Sequence, residues 1–414
     1  MLSLYVFGIT TILLLLAFEI NIIYHLMAYG LIISPFIAFL FVASGIWFTN
    51  IPVGLHRNLT VIRAIKKLNF SESVFIGVTG SYGKSSVKEY TYELLAERFS
   101  TEKTMKNMNT DVGIALSILR NLKKKTEFFV TEFGAYREGE VSKIAKLIPL
   151  KYVILTGLGN QHLDLYGNRE TLVKEETFPL KELGTKGTGY IPYDLEYKNR
   201  ILQSTVCKIV TYGTANNADI KAKITKIDHH GFEASISYRG KTFDIKSKLL
   251  GEHSVVNLLP AIALSIDLGI NQKVIASKIE KLDYIAGKLS VHEGKNLTTI
   301  INDAVTTNVD GFIAAIGVLE LFPQKNKFIL TKGIIELGVE KSESYDRILK
   351  SLNNTNIKLF TTDAMFKKQE SKNNVMIFND VSEMQKFITI SNRNTIVLLE
   401  GRFSTNFISN IIIE

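Results

Sequence analysis

Between the apolar run Val74–Thr79 and an amphipathic stretch from Val87 to Phe99 lies the heptapeptide Gly80-Ser81-Tyr82-Gly83-Lys84-Ser85-Ser86. A strand, a glycine turn and a helix start, in that order, restrict the fold more than any other feature of this chain. They gather backbone N–H groups and a helix N-terminus around a place for an anion. Gly80 and Gly83 let the backbone come close to a polyphosphate, Lys84 brings a compact positive charge, and Ser85 offers a hydroxyl to magnesium. Ser81 and Ser86 lie on the same loop and are expected to share the nucleotide contacts. The full P-loop spacing calls for glycine at 78, where this chain has Val78, so an ordinary glycine turn is the competing reading.

Further apolar runs follow at Phe128–Phe133, Tyr152–Leu158, Thr298–Asp303, Phe328–Thr331, Ile357–Thr361 and Thr395–Glu400, separated by helical patterns. Such alternation predicts an α/β fold with parallel sheets and crossover helices. Residues 205–250 change character: Phe232, Ala234, Ile236 and Tyr238 alternate, Arg239-Gly240 turns, and Phe243 and Ile245 return. This predicts an antiparallel hairpin inserted late in the first domain. His229 and His230 are adjacent, not at metal-ligand spacing, and read as turn residues. At 414 residues the chain has room for two or three domains, and 46% apolar with 21% charged residues excludes wholesale disorder. The single Cys207 forms no internal disulfide, which favours a reducing compartment.

Residues 1–50 hold no Lys or Arg and one acid, Glu19, so the remainder carries 49 bases against 39 acids. That excess suits a phosphorylated substrate, an anionic membrane surface or nucleic acid. No interleaved aromatic and basic stripe is present, and Lys123-Lys124-Lys125 is a short surface run, so nucleic acid is not expected. Leu26–Phe48 is a 23-residue uncharged stretch, long enough to span a bilayer. Leu4–Phe18 is a shorter candidate span. A cleaved signal peptide is the rival, but there is no basic region ahead of the apolar core. Arg57, Arg63, Lys66 and Lys67 follow the second span, which by the positive-inside rule puts residues 51–414 in the cytoplasm. The expectation is a transmembrane hairpin in the cytoplasmic membrane, with both ends inside.

Seven segments in order resemble the Mur ligase family, most closely its D-alanyl-D-alanine-adding type, over residues 74–414. They are Thr79–Glu89 for the phosphate loop, Asn107-Met108-Asn109-Thr110-Asp111-Val112-Gly113, Thr131-Glu132-Phe133-Gly134, His162-Leu163-Asp164-Leu165-Tyr166-Gly167, Gly251-Glu252-His253 with Asn257, Asp303–Asn308, and Glu336-Leu337-Gly338. Beside the hairpin at 1–50 and the basic juxtamembrane linker at 51–73 read from the charge pattern, the resemblance implies a central ATP-binding domain at 74–289 and a Rossmann-like domain at 290–414. It implies ATP and Mg²⁺, and a reaction in which a carboxylate takes the γ-phosphoryl group and an amine then displaces phosphate.

Carried over residue by residue, the resemblance implies Lys84, His162 and Lys288 as catalytic residues, and Ser85, Glu132 and His162 as metal ligands. His253, Asn257 and Asp303 join the loop in holding nucleotide, while Asn107, Asn109, Asn308 and Arg402 face the substrates. Asn109 has a competing reading as a helix cap. Family members commonly carry a carbamylated lysine as a metal ligand nine residues past the glycine of the histidine segment; counting from Gly167 reaches Glu176, which is expected to serve as that metal ligand directly, with Lys174 as the alternative. Lys288 stands for the usual arginine, Ser254 for asparagine, Lys332-Gly333 for Gly-Asp, and Glu400-Gly401-Arg402 partly matches K-G-x-R. The usual soluble first domain is absent ahead of residue 74, so a lipid-linked acceptor is one expectation. The expected function is a membrane-anchored amide ligase on a cell-envelope precursor. The alternatives are a ligase extending an amino-acid polymer such as poly-γ-glutamate and a degenerate ATP-binding scaffold.

Overall fold

The computed structural model describes residues 2–106, 108–134, 138–159, 166, 168–306, 308–334, 341–369 and 375–413. Residues 1–62 and 63–414 are separate compact units. The chain opens with one continuous helix, Leu2–Asn69, that carries Pro35 and Pro52 inside it. This corrects the expected multi-pass hairpin. The residues between the two apolar stretches, Glu19 to His25, contain no glycine or proline to reverse the chain, and the helix runs straight through them. The expected localisation, a multi-pass hairpin in the cytoplasmic membrane with both ends inside, falls with it, since one candidate span is found among the described residues. The stretch expected as a basic linker is helical up to Asn69. Within the helix, Tyr5–Asn69 is long and apolar enough to cross a membrane by length and composition.

Among the described residues of the second unit, nine strands form one sheet and six another. The first comprises β1 (Val74–Thr79), β2 (Thr101–Lys103), β3 (Phe128–Glu132), β4 (Leu150–Leu155), β5 (Thr188–Pro192), β6 (Lys208–Gly213), β7 (Ile220–Asp228), β8 (Gly231–Tyr238) and β9 (Lys241–Ser247). Its order is β2-β3-β1-β4-β5-β6-β7-β8-β9. β1 pairs in parallel with β3 on one side and β4 on the other. The strand order reverses there, so a crevice opens beyond its carboxyl end. From Phe75 to Thr79 every residue is buried, as a strand covered on both faces requires.

The antiparallel strands are not a separate insert. β7 continues the parallel sheet through Tyr212↔Ile220, then β8 and β9 fold back as its edge. Phe232, Ala234, Ile236 and Tyr238 face the core that includes Val255, Leu258 and Ile262 of the helix Glu252–Asp267. That same core takes Val87, Tyr90 and Leu94 from the helix Lys84–Leu95, so the glycine loop is anchored at its helical end by apolar packing. His229 and His230 occupy the turn between β7 and β8, where the His230 N–H is bound by the Asp228 carboxylate at 2.8 Å.

The second sheet comprises β10 (Ser290–Glu293), β11 (Thr299–Asp303), β12 (Asn326–Thr331), β13 (Ile357–Thr361), β14 (Val375–Ile377) and β15 (Thr395–Glu400), in the order β10-β11-β15-β12-β13-β14. β15 lies between β11 and β12 and is parallel to both. Ile301 and Leu398 face one apolar layer, while Ile300, Val397 and Leu399 face another. The carboxyl ends of β11 and β15 bring Asp303 and Glu400 into register.

Candidate active site

The loop after β1 is held from below before it meets any ligand. Gly80 and Gly83 have φ of 127° and 78°, a region in which a side chain is strained. A Cβ on Gly80 would lie 2.4 Å from the Thr156 hydroxyl, and one on Gly83 would lie 2.8 Å from Asn257 Oδ1. The Ser81 N–H donates to the Gly157 carbonyl at 2.8 Å, and its hydroxyl reaches Gly159. Thr156 Oγ1 donates to the carbonyls of Thr79 and Tyr82. The helix Lys84–Leu95 starts at Gly83 with no side-chain cap, leaving its first N–H groups and the positive end of its dipole to the crevice. The Lys84 ammonium folds back to the Gly80 carbonyl.

Glu132 ends β3, beside Val78 of β1, and is buried. Its Oε1 accepts from the Ser85 hydroxyl at 3.1 Å and from Asn109 Nδ2 at 3.4 Å. Its Oε2 lies 3.0 Å from the Lys88 ammonium. Lys88 is 1% exposed and also donates to the Lys106 carbonyl. Sequence reasoning passed over Lys88. A signal was available: Lys88, Thr91 and Leu95 share the buried helix face, and a lysine in a core stripe needs a partner. The cap role considered for Asn109 belongs to Thr110, whose hydroxyl accepts from the Gly113 N–H.

Ser85 and Glu132 form an oxygen-donor pair that fits a hard cation such as Mg²⁺, which takes one or two protein ligands and fills its shell with phosphates and water. No cluster of three His, Cys, Asp or Glu occurs among the described residues. Glu176 is placed differently from the expectation. Its Oε2 accepts from the Thr79 hydroxyl at 2.5 Å and the Gly80 N–H at 2.7 Å, which fastens the loop and leaves Oε1 for any metal. Lys174 is exposed and 4.0 Å from Glu138, away from that face. His162, Asn107 and the Glu336-Leu337-Gly338 segment lie outside the described residues.

Across the crevice, a cavity of about 680 Å³ is lined by both sheets' elements. Gly83, Ser86, His253, Asn257, Lys288 and Asp303 are among its lining residues. Burial pushes the His253 imidazole down to about 4, and the Lys288 charge adds to this, so the ring is neutral. Burial also lowers the Lys288 ammonium, while the Asp303 and Glu132 charges oppose that effect. Asn308 lines the cavity but spends its Oδ1 capping the helix Val309–Glu320 through the Gly311 N–H at 2.7 Å. Arg402 is exposed on the turn after β15 and does not line the cavity. Of the residues expected to hold nucleotide, Gly83, Ser86, His253, Asn257 and Asp303 line this cavity, whereas Arg402, expected at a substrate, does not.

Residues 78–265 match the Mur ligase middle domain. The chain is 30% identical over 284 residues to a UDP-N-acetylmuramoyl-tripeptide–D-alanyl-D-alanine ligase of Borreliella burgdorferi, covering 66% of this chain and 58% of that protein. It is 27% identical over 309 residues to the Bacillus subtilis enzyme of the same description, covering 72% and 66%. It thus spans less than two thirds of these curated relatives. In fold it is similar to MurF from Acinetobacter baumannii, with a TM-score of 0.77, 19% identity, and coverage of 86% of this chain and 79% of that one. The corresponding values for the Thermotoga maritima MurF ligase in complex with ADP are 0.72, 24%, 84% and 80%.

Proposed function

The chain belongs to the Mur ligase family, and on that premise we propose that it is an ATP-dependent carboxylate–amine ligase acting on a cell-envelope precursor. The observation that carries this reading is the convergence of loop and partner residues on one cavity. Gly83 and Ser86 of the phosphate loop, at the uncapped start of its helix, line the same cavity as His253, Asn257 and Lys288, and Lys84 and Ser85 lie between the two loop residues in sequence. Such a cavity suits a nucleotide whose phosphates lie on the loop and whose base lies against His253 and Asn257.

In the proposed reaction, a substrate carboxylate oxygen bonds to the γ-phosphorus and ADP departs. The amine nitrogen then bonds to the acyl carbon, the carbon–oxygen bond to phosphate breaks, and the nitrogen loses a proton. Lys84 and the helix N-terminus stabilise the charge on the transferring phosphoryl group, and Lys288, which lines the same cavity, adds to this. A Mg²⁺ held by Ser85 and Glu132 would supply further neutralisation of the phosphates. Lys88 holds Oε2 of Glu132, so Oε1 is turned toward Ser85. Asn109, bonded to the same oxygen, stays a candidate substrate contact, as do Asn308 and the more distant Arg402.

A D-alanyl-D-alanine amine and a peptide carboxylate acceptor are the substrates we infer by likeness to the relatives. The test is phosphate release by the purified full chain with Mg-ATP and D-alanyl-D-alanine or single amino acids, each against UDP-linked and lipid-linked peptides. Release that requires both an amine and a carboxylate partner is expected. The exposed position of Arg402 favours a second reading, an ATP-binding scaffold, which predicts nucleotide binding with no acceptor-dependent release.

A further inference from the structure

Behind the cavity wall, β11 and β15 carry Asp303 and Glu400 in register at their carboxyl ends. They leave the sheet on the face that also carries Ile301 and Leu398. Glu400 is 1% exposed, and neither of its carboxyl oxygens finds a hydrogen-bond donor among the described residues. Asp303 is served: its Oδ1 accepts from the Thr306 hydroxyl at 2.6 Å and the Leu289 N–H at 3.3 Å. The two carboxyls are within hydrogen-bonding reach of one another. Two carboxylates only accept, so as a pair of anions they would repel and leave Glu400 unsatisfied. One proton resolves both problems, since a carboxyl O–H donates to a carboxylate.

We infer that Asp303 and Glu400 share a single proton, donated from Glu400 to Asp303, and that Glu400 is thereby a positioning residue holding Asp303 as a fixed anionic acceptor on the cavity wall. The nucleotide part of this inference rests on the reading that the cavity takes ATP. Asp303 from β11 and Lys288 from the segment ahead of β10 are the charged groups acting on Glu400. Lys84, Lys88 and Glu132 act in turn on Lys288. The register neighbour on β12 is the uncharged Thr331. The overlying helix Val309–Glu320 contributes buried Val309 and Phe312, while its Asp310 pairs with Arg347 at the surface. Burial raises the Glu400 carboxyl well above the usual range, the Asp303 charge raises it further, and only Lys288 opposes.

The sign of the pH effect follows. Above pH about 4.3 the unfolded chain has lost the Glu400 proton and the native state keeps it, so stability falls as pH rises toward the folded value. Glu400→Gln keeps a donor for Asp303 but cannot titrate. Denaturant unfolding of the full chain from pH 5 to 8, without nucleotide, should show a wild-type unfolding constant that rises relative to Glu400→Gln by up to about tenfold per pH unit. In calorimetry with Mg-ADP, Glu400→Ala should weaken binding by about tenfold, and Glu400→Gln should restore most of the loss. Parallel wild-type and Glu400→Gln stability profiles, or a failure of glutamine to rescue alanine, would overturn the shared proton. If wild type binds no ADP or ATP, the ATP reading fails instead, and the unfolding profiles still judge the proton.

Discussion

Glu176 and Gly80, 96 positions apart, are joined by a 2.7 Å hydrogen bond from the Gly80 N–H to the Glu176 carboxylate, which also receives the Thr79 hydroxyl. An acid therefore grips the entrance of the phosphate loop from the helix Arg169–Glu182. Hydrogen bonds to a charged group contribute about 1.5–3 kcal/mol. Glu176→Ala should lower stability by that order and raise the magnesium needed for half-maximal phosphate release, whereas Lys174→Ala should do neither. Activity should not respond to removal of bicarbonate. A carbamate found on Lys174 by mass spectrometry would defeat this assignment.

Among the described residues the Lys84 ammonium bonds to the Gly80 carbonyl alone, and its removal leaves the packed face of its helix untouched. Lys84→Ala should reduce turnover by roughly 10²–10³-fold, the scale of losing one positioned electrostatic group. Its melting temperature without nucleotide should stay within about 2 °C of wild type, a shift matching less than 1 kcal/mol. Unaltered acceptor-dependent phosphate release would remove Lys84 from the chemistry.

Gly83 lies against Asn257 in the cavity lining, and alanine at position 83 would combine a left-handed backbone with a 2.8 Å approach to Asn257 Oδ1. The backbone alone costs about 1–2 kcal/mol. Gly83→Ala should weaken ADP binding at least tenfold, and Gly83→Ala with Asn257→Ala should recover part of it. Strictly additive losses in that double-mutant cycle would show that the two residues act separately.

His253 is kept neutral by burial, with its folded value at about 4 against an ordinary 6.5. A depressed value gives stability that is complete above pH 6.5 and lost as pH falls toward 4, because the unfolded chain takes up the proton first. His253→Asn should flatten the stability profile between pH 4 and 6.5. An unchanged acid limb in chemical unfolding would mean that the ring titrates normally.

Every residue assigned to nucleotide lies beyond Ser73. A chain comprising residues 51–414 should bind Mg-ATP with an affinity within about threefold of the full protein, since equal contacts give equal free energies within about 0.7 kcal/mol. Folded 51–414 that shows no heat of binding, while the full chain binds, would place part of the site in the first unit.

The sequence by itself determined what is contiguous. The strand Val74–Thr79, the glycine loop and the following helix were legible because a phosphate loop is one uninterrupted segment. Ile357–Thr361 and Thr395–Glu400 appear as strands with those bounds because strands buried on both faces are unbroken apolar runs. The histidine turn was also legible, since His229 and His230 are adjacent, not at metal-ligand spacing, and precede Gly231. Tertiary structure decided everything that depends on strand order and register. It joined the antiparallel edge to the parallel sheet through β6 and β7, and continued one helix through the stretch expected to turn. It also set Glu176 on Gly80, Lys88 on Glu132, and Glu400 beside Asp303. No local period encodes these pairs: a carboxylate's partner is fixed by which strands become neighbours, and burial then decides whether it is a ligand, a clamp or a proton donor.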